Sequence, residues 1–192
     1  MNKKQKFHKL ASDSGLTLLE SLIILSIIAI LAAIATASYS HFILNTRLEN
    51  AANEIFTDLK LAKSQAFKQK KKIYVAFKGT GKNWCYGINE ESACNCNAPA
   101  TCKVNNVEMV KTGQSFNGIE LLSAKFAGGG STTGFDPNRG FAQVDGVKNG
   151  TIWLKASNDA KIAVIINRLG RVRFCSPTLP GYSRNCPKLP NE

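Results

Sequence analysis

The chain has 192 residues, 44% of them hydrophobic and 20% charged, and carries a net charge of +12 at pH 7. That length allows about one domain plus an accessory segment, and the charge favours anionic partners: nucleic acid, acidic lipid headgroups or acidic glycans. The only two histidines, His8 and His41, fall in the N-terminal quarter; no histidine-based triad can be assembled after them, and nothing supports an enzyme.

The first segment, MNKKQKFHKLASDSG, is basic and polar with no apolar stretch of its own. Leu16 to Ala37 then reads LTLLESLIILSIIAILAAIATA, apolar apart from Glu20 and a few hydroxyls. At about 1.5 Å per residue this stretch reaches about 33 Å, enough to cross a hydrocarbon core of about 30 Å. Such length without a polar face argues against a soluble core helix. The preceding lysines predict a cytoplasmic N-terminus. A secretory signal has its small-residue cleavage site after the apolar stretch, whereas here the order is reversed. Glu20 calls for a partner, because an ionised side chain in a spanning helix costs on the order of 3 kcal/mol near the centre. A cut after Gly15 would give Leu16 a free cationic α-amine, with which Glu20 of a neighbouring copy could pair.

The run SG/LTLLESLIILSIIAILAAIA resembles the class III leader and N-terminal helix of type IV pilins and type II secretion pseudopilins. The resemblance implies that a prepilin peptidase cuts between Gly15 and Leu16 and methylates the new amine of Leu16. It also implies that Glu20 guides packing against other pilin subunits. The chain would lie in the inner membrane, single-pass with a periplasmic head, before reaching a pilus at the cell surface. Many major pilins carry a proline inside this helix. None occurs here before Pro99, so a straighter helix and a minor subunit are expected.

No glycine or proline interrupts Leu16 to Lys78, and Leu48, Ala51, Ala52, Ile55, Leu59, Ala62 and Ala66 form an apolar stripe at helical spacing. A helix to about Lys71 is predicted, with the lysines at its end suited to the negative pole of the helix dipole. From Ile73 the pattern becomes strand-like. The predicted strands are 73–77, 84–88, 107–110, 119–126, 151–155, 161–166 and 171–175, separated by turn-rich segments such as Ala127 to Gly140. The glycines of that segment lack the Gly-Lys-Ser/Thr ending of a phosphate loop and read as a surface loop. The stretch Ala51 to Ala66 and the late NRLGRVRF resemble the GspH/FimT group of minor pilins and pseudopilins. The expected fold is therefore α+β, a type IV pilin fold with a long N-terminal helix packed on an antiparallel β-sheet head. Its parts would be a leader at 1–15, a transmembrane or filament-core helix at 16–37, an amphipathic continuation at 38–72 and a head at 73–192.

In an exported chain, the six cysteines read as disulfides. Cys175 and Cys186 form the natural C-terminal pair. Cys94 and Cys96 are too close to pair comfortably, so each is expected to bond Cys85 or Cys102, in an order left open. A four-cysteine zinc site is the rival, and no cofactor is expected.

After Asp159 the basic residues are Lys161, Arg168, Arg171, Arg173, Arg184 and Lys188, and the one acid is Glu192. IINRLGRVRF reads as strand, tight turn, strand, with Gly170 suited to a positive φ. Arg171 and Arg173 share one face of the second strand by its period of two, while Val172 and Phe174 point to the core. Arg168 at the turn can join the exposed face. Guanidinium forks bind phosphate bidentately, and Tyr182 offers a ring for stacking. By resemblance, T-type DNA-binding minor pilins carry a Gly-Arg-x-Arg motif near the C-terminus, which stands here as Gly170 to Arg173. These residues, with Arg184 and Lys188, predict a minor pilin that binds extracellular DNA, double-stranded above all, for uptake in natural transformation. Contact would be to the phosphate backbone, without sequence preference. The alternative is an H-type pseudopilin, a structural subunit of a type II secretion pseudopilus. A third reading is an adhesion or filament-priming subunit with affinity for acidic glycans or lipids.

Overall fold

The computed structural model describes residues 17–142 and 149–189, without the side chains of residues 34–38. Gly15, Leu16 and the leader lie outside the described residues. Helix α1 spans Leu18–Gln69. At its start the Oγ1 of Thr17 accepts the backbone N–H of Glu20 at 3.2 Å, which satisfies one of the orphan donors of a helix N-terminus. Glu20 is thereby the third helical residue, where a negative charge suits the positive pole of the dipole. The helix ends where Lys70 turns left-handed, at φ 53°.

Contacts divide the chain into two units, Met1–Ser40 and His41–Glu192. In the first unit, the large apolar side chains between Leu18 and Leu31 stand 44–79% exposed. Among the described residues no helix is long and apolar enough to cross a membrane. The described run of apolar side chains, Leu18 to Ala33, covers sixteen residues; that is about 24 Å, short of a core of about 30 Å. The expected span at 16–37 includes residues outside that description.

Among the described residues the second unit holds ten strands. They are β1 Ile73–Thr80, β2 Asn83–Glu90, β3 Lys103–Val104, β4 Val107–Glu108, β5 Val110–Thr112, β6 Ile119–Phe126, β7 Thr132–Phe135, β8 Gly150–Ala156, β9 Lys161–Ile166 and β10 Val172–Cys175. All named pairings are antiparallel. The head is built from two four-stranded sheets, ordered β5-β2-β1-β7 and β10-β9-β8-β6, with β3-β4 as a small ribbon. The α+β expectation holds, and the head has two main sheets.

Every position of the predicted α1 stripe, from Leu48 to Ala66, is buried. The stripe shares one core with Ile73, Val75, Phe77, Tyr86 and Ile88 of the first sheet, and with Ile152, Leu154, Ile162, Val164 and Ile166 of the second. Polar ties fix the packing. Tyr86 donates to Asp58 of α1 at 2.6 Å, and Asn158 of the β8–β9 turn donates to Asn45 of α1 at 2.9 Å.

Each sheet has its second face covered by a disulfide-bonded segment. Cys85–Cys96 and Cys94–Cys102 lie on the first sheet, settling the order left open above. Gly87 lies beneath the second of these: a Cβ there would overlap the Cys102 sulfur. Cys175–Cys186 carries the C-terminal segment across the second sheet, where Cys186 and Leu189 pack on Trp153, Ala163 and Ile165. All six cysteines are thus consumed in disulfides, and none is left as a zinc ligand.

Candidate functional site

The turn between β9 and β10 is capped from within. Asn167 exchanges backbone hydrogen bonds with Gly170 and Arg171, and its Oδ1 accepts the N–H groups of Leu169 and Arg171 at 3.0 and 2.9 Å. This closes a three-residue loop, Arg168 to Gly170, with Gly170 at φ +69°. Three-residue hairpin loops place a left-handed residue at this position. Space demands glycine as well, since a Cβ at Gly170 would overlap the carbonyl of Gly140. Lys63 of α1 donates to the carbonyls of Leu169 and Gly170 at 3.2 and 3.4 Å. Turn and helix are therefore tied together, and one more positive charge lies beside the arginines.

Register sorts the side chains of β10. Val172 lies opposite Ile166, and Phe174 opposite Val164, so both point to the core shared with α1. Phe174 packs on Phe56 of α1 with ring centroids 4.9 Å apart and the rings tilted by 34°. Arg173 lies opposite Ile165, and Cys175 opposite Ala163; both therefore belong to the outer face. Arg171 and Arg173 are exposed, as is Arg168 at the turn. The Arg173 row continues through Ile165 and Thr151 to Lys125 on β6.

The C-terminal residues divide between the two faces. Tyr182 is half-buried with its ring edge-on to Phe174 at 6.1 Å, on the core side of β10. Burial, and secondarily the charge of Glu49, push its hydroxyl pKa up. It is not brought together with Arg171 and Arg173. Arg184 and Lys188, both exposed, lie instead on the outer side, on the rim of a groove with Lys155 and Lys161. In sequence Lys155 reads only as part of a strand and Lys161 only as part of the C-terminal charge. The register that sets them beside Arg184 depends on the β8–β9 turn, which strand pattern alone does not fix. Glu20 lies apart from this surface in sequence, exposed at the start of α1.

A family model described as Type II transport protein GspH matches residues 51–170. The match covers α1 from Ala51, the whole first sheet, β6, β8 and β9 of the second and the turn up to Gly170, and stops before Arg171 and β10. No curated protein and no solved structure matches the chain.

Proposed function

This chain belongs to the type II transport protein GspH family, and from that premise we propose that it is a membrane-anchored minor pilin that captures extracellular DNA for uptake in natural transformation. Family membership makes the chain a minor pilin or pseudopilin, a structural class of protein rather than a class of enzymes. The exposed apolar side chains from Leu18 to Leu31 would be buried in the inner membrane, and then in a filament core. A surface of that kind does not persist uncovered in water. Cleavage after Gly15, methylation of Leu16 and pairing of Glu20 with a neighbouring amine belong to the same reading.

The observation that carries DNA capture is the exposure of Arg171 and Arg173 on one face beside a turn that Asn167 and Lys63 hold in place. Guanidiniums carried on a fixed backbone can meet phosphate oxygens bidentately. Contacts of this kind read charge and spacing rather than sequence, so binding would be strongly salt-dependent.

The test is fluorescence anisotropy of a labelled duplex with the full chain in detergent, titrated with salt. Four phosphate contacts give roughly a hundredfold loss of affinity between 50 and 200 mM salt. Arg171→Gln with Arg173→Gln is expected to weaken binding at 50 mM and to flatten the salt slope by roughly 1.8. Unchanged affinity in that double variant overturns the hairpin as the site. The description of the family keeps the secretion pseudopilin as the second reading, with the arginines contacting another subunit. Absence of duplex binding even at 50 mM salt would favour it.

A further inference from the structure

On the outer face of the second sheet, Lys155 of β8 lies directly opposite Lys161 of β9. Like charges paired across strands destabilise a sheet, and the C-terminal segment adds to the repulsion. Together with Trp153, Arg184 and Lys188, the two lysines line a groove of about 610 Å³. Two acids face these four cations. Asp159 holds Lys155 at 2.6 Å, and Glu120 lies opposite Lys155 on β6. Hydrogen bonding to Asp159 raises the pKa of Lys155, which keeps that lysine charged. Trp153, 3% exposed, supplies an indole N–H without a hydrogen-bond partner among the described residues. A buried donor left unpaired is costly.

We propose that this groove is a second phosphate-binding site, in which Lys155, Lys161, Arg184 and Lys188 hold the backbone of the same nucleic acid that the Arg171–Arg173 hairpin contacts. The inference rests on the DNA-capture reading and extends it from a turn to a surface. Alignment on one side of the sheet supports it. Arg173 is aligned with Ile165, and Lys161 stands four residues before Ile165 on β9, on the same side. At about 3.3 Å per residue the two rows are roughly 13 Å apart. A duplex advances about 3.4 Å per base pair, so roughly four steps span that distance. A duplex that reaches both sites lies over the C-terminal segment, which covers Ala163 and Ile165 between them and presents Arg184 and Lys188, both exposed. Asp159 acts as a competing anion: while it holds Lys155, a phosphate must share or displace that bond.

The experiment uses the full chain in detergent, a labelled duplex and the slope of affinity against salt. Lys155→Gln with Lys161→Gln is expected to flatten the slope by roughly 0.9, the share of Lys161, because Asp159 already holds Lys155. Asp159→Asn is expected to tighten binding and to steepen the slope by roughly 0.9, because Lys155 is released. Asp159 has φ 64°, a conformation that asparagine also adopts, so this variant keeps the turn. Affinity unchanged in both variants, in a chain whose binding weakens with Arg171→Gln and Arg173→Gln, overturns the groove and leaves the hairpin standing. No binding by the parent chain overturns both. Displacement of the duplex by polyglutamate at equal charge would assign the groove to an acidic protein partner and overturn it as a nucleic-acid site.

Discussion

Asp58 shows how one side chain can hold two elements together while opposing the stability they share. Its Oδ2 accepts the Tyr86 hydroxyl at 2.6 Å, which ties α1 to β2. Burial raises the Asp58 pKa, outweighing the lowering effects of the Tyr86 bond and of Lys111; Glu54 raises it further. Burial, then the charge of Asp58, likewise pushes Tyr86 far up, so the phenol stays a donor. For an acid whose pKa is higher folded than unfolded, the folded state binds more protons. Stability is then highest at low pH and falls as pH rises from the ordinary value of 3.8 through the folded pKa. Asp58→Asn keeps an acceptor for Tyr86 and removes the charge. The variant is expected to melt at or above the parent's temperature at pH 7. Its advantage should shrink as pH falls towards 3.8, in paired thermal melts across pH. A variant that is less stable than the parent at pH 7 would show that the charged hydrogen bond outweighs the burial cost.

Among the elements, α1 is held most strongly by the stripe from Leu48 to Ala66. Leu59 is fully buried between the inner faces of both sheets. Leu59→Ala is expected to cost about 2–5 kcal/mol, read by denaturant unfolding of the full chain in detergent; a loss under 1 kcal/mol would mean that the core closes over the gap. This stripe was legible in the sequence because it repeats at helical spacing over five turns, and periodicity survives any tertiary context. β7 was not legible. It lies in a stretch read as loop, follows Gly128 to Gly130 and contains Gly134; it is made a strand by pairing with β1 rather than by its own residues. The predicted strand at 107–110 divides for a related reason. Val107 pairs with β3, Val110 pairs with β2, and Met109 bonds to both neighbours, through Cys102 and Ile88. Arg171 and Arg173 could be put on one face from strand period alone. The separation of Tyr182 from Arg184 could not, since it follows from the path of the chain after Cys175. That path is set by Ser176, which donates to the carbonyl of Lys161 at 2.6 Å and accepts the N–H of Leu179 at 2.8 Å.

Within the His41–Glu192 unit, the disulfides decide what covers the outer face of each sheet. On the second sheet, the Cys175–Cys186 loop covers Trp153 and carries Arg184 and Lys188 over Lys155 and Lys161. Two sets of tethers hold this loop, and they fail separately. Near Cys175, the Ser176 bonds, a backbone bond from Ser176 to Ser183 and the buried Leu179 hold it without the disulfide. Beyond Ser183, among the described residues, the disulfide and the packing of Leu189 on the Trp153 cluster tie it to the sheet. Replacing Cys175 and Cys186 by alanine opens a short loop, whose closure contributes about 3 kcal/mol, and the melting temperature should fall accordingly. The arginine hairpin does not depend on the loop, because Asn167 and Lys63 hold its turn. The double alanine variant is therefore expected to keep the contribution of Arg171 and Arg173 to duplex binding. It should lose that of Arg184 and Lys188, flattening the salt slope by roughly 1.8. Adding Arg171→Gln and Arg173→Gln to that variant should subtract a second, separate decrement. A slope unchanged by loss of the disulfide would show that Leu189 and Trp153 hold the segment on their own. A single loss that neither pair of changes deepens would mean that hairpin and groove bind the anion as one unit.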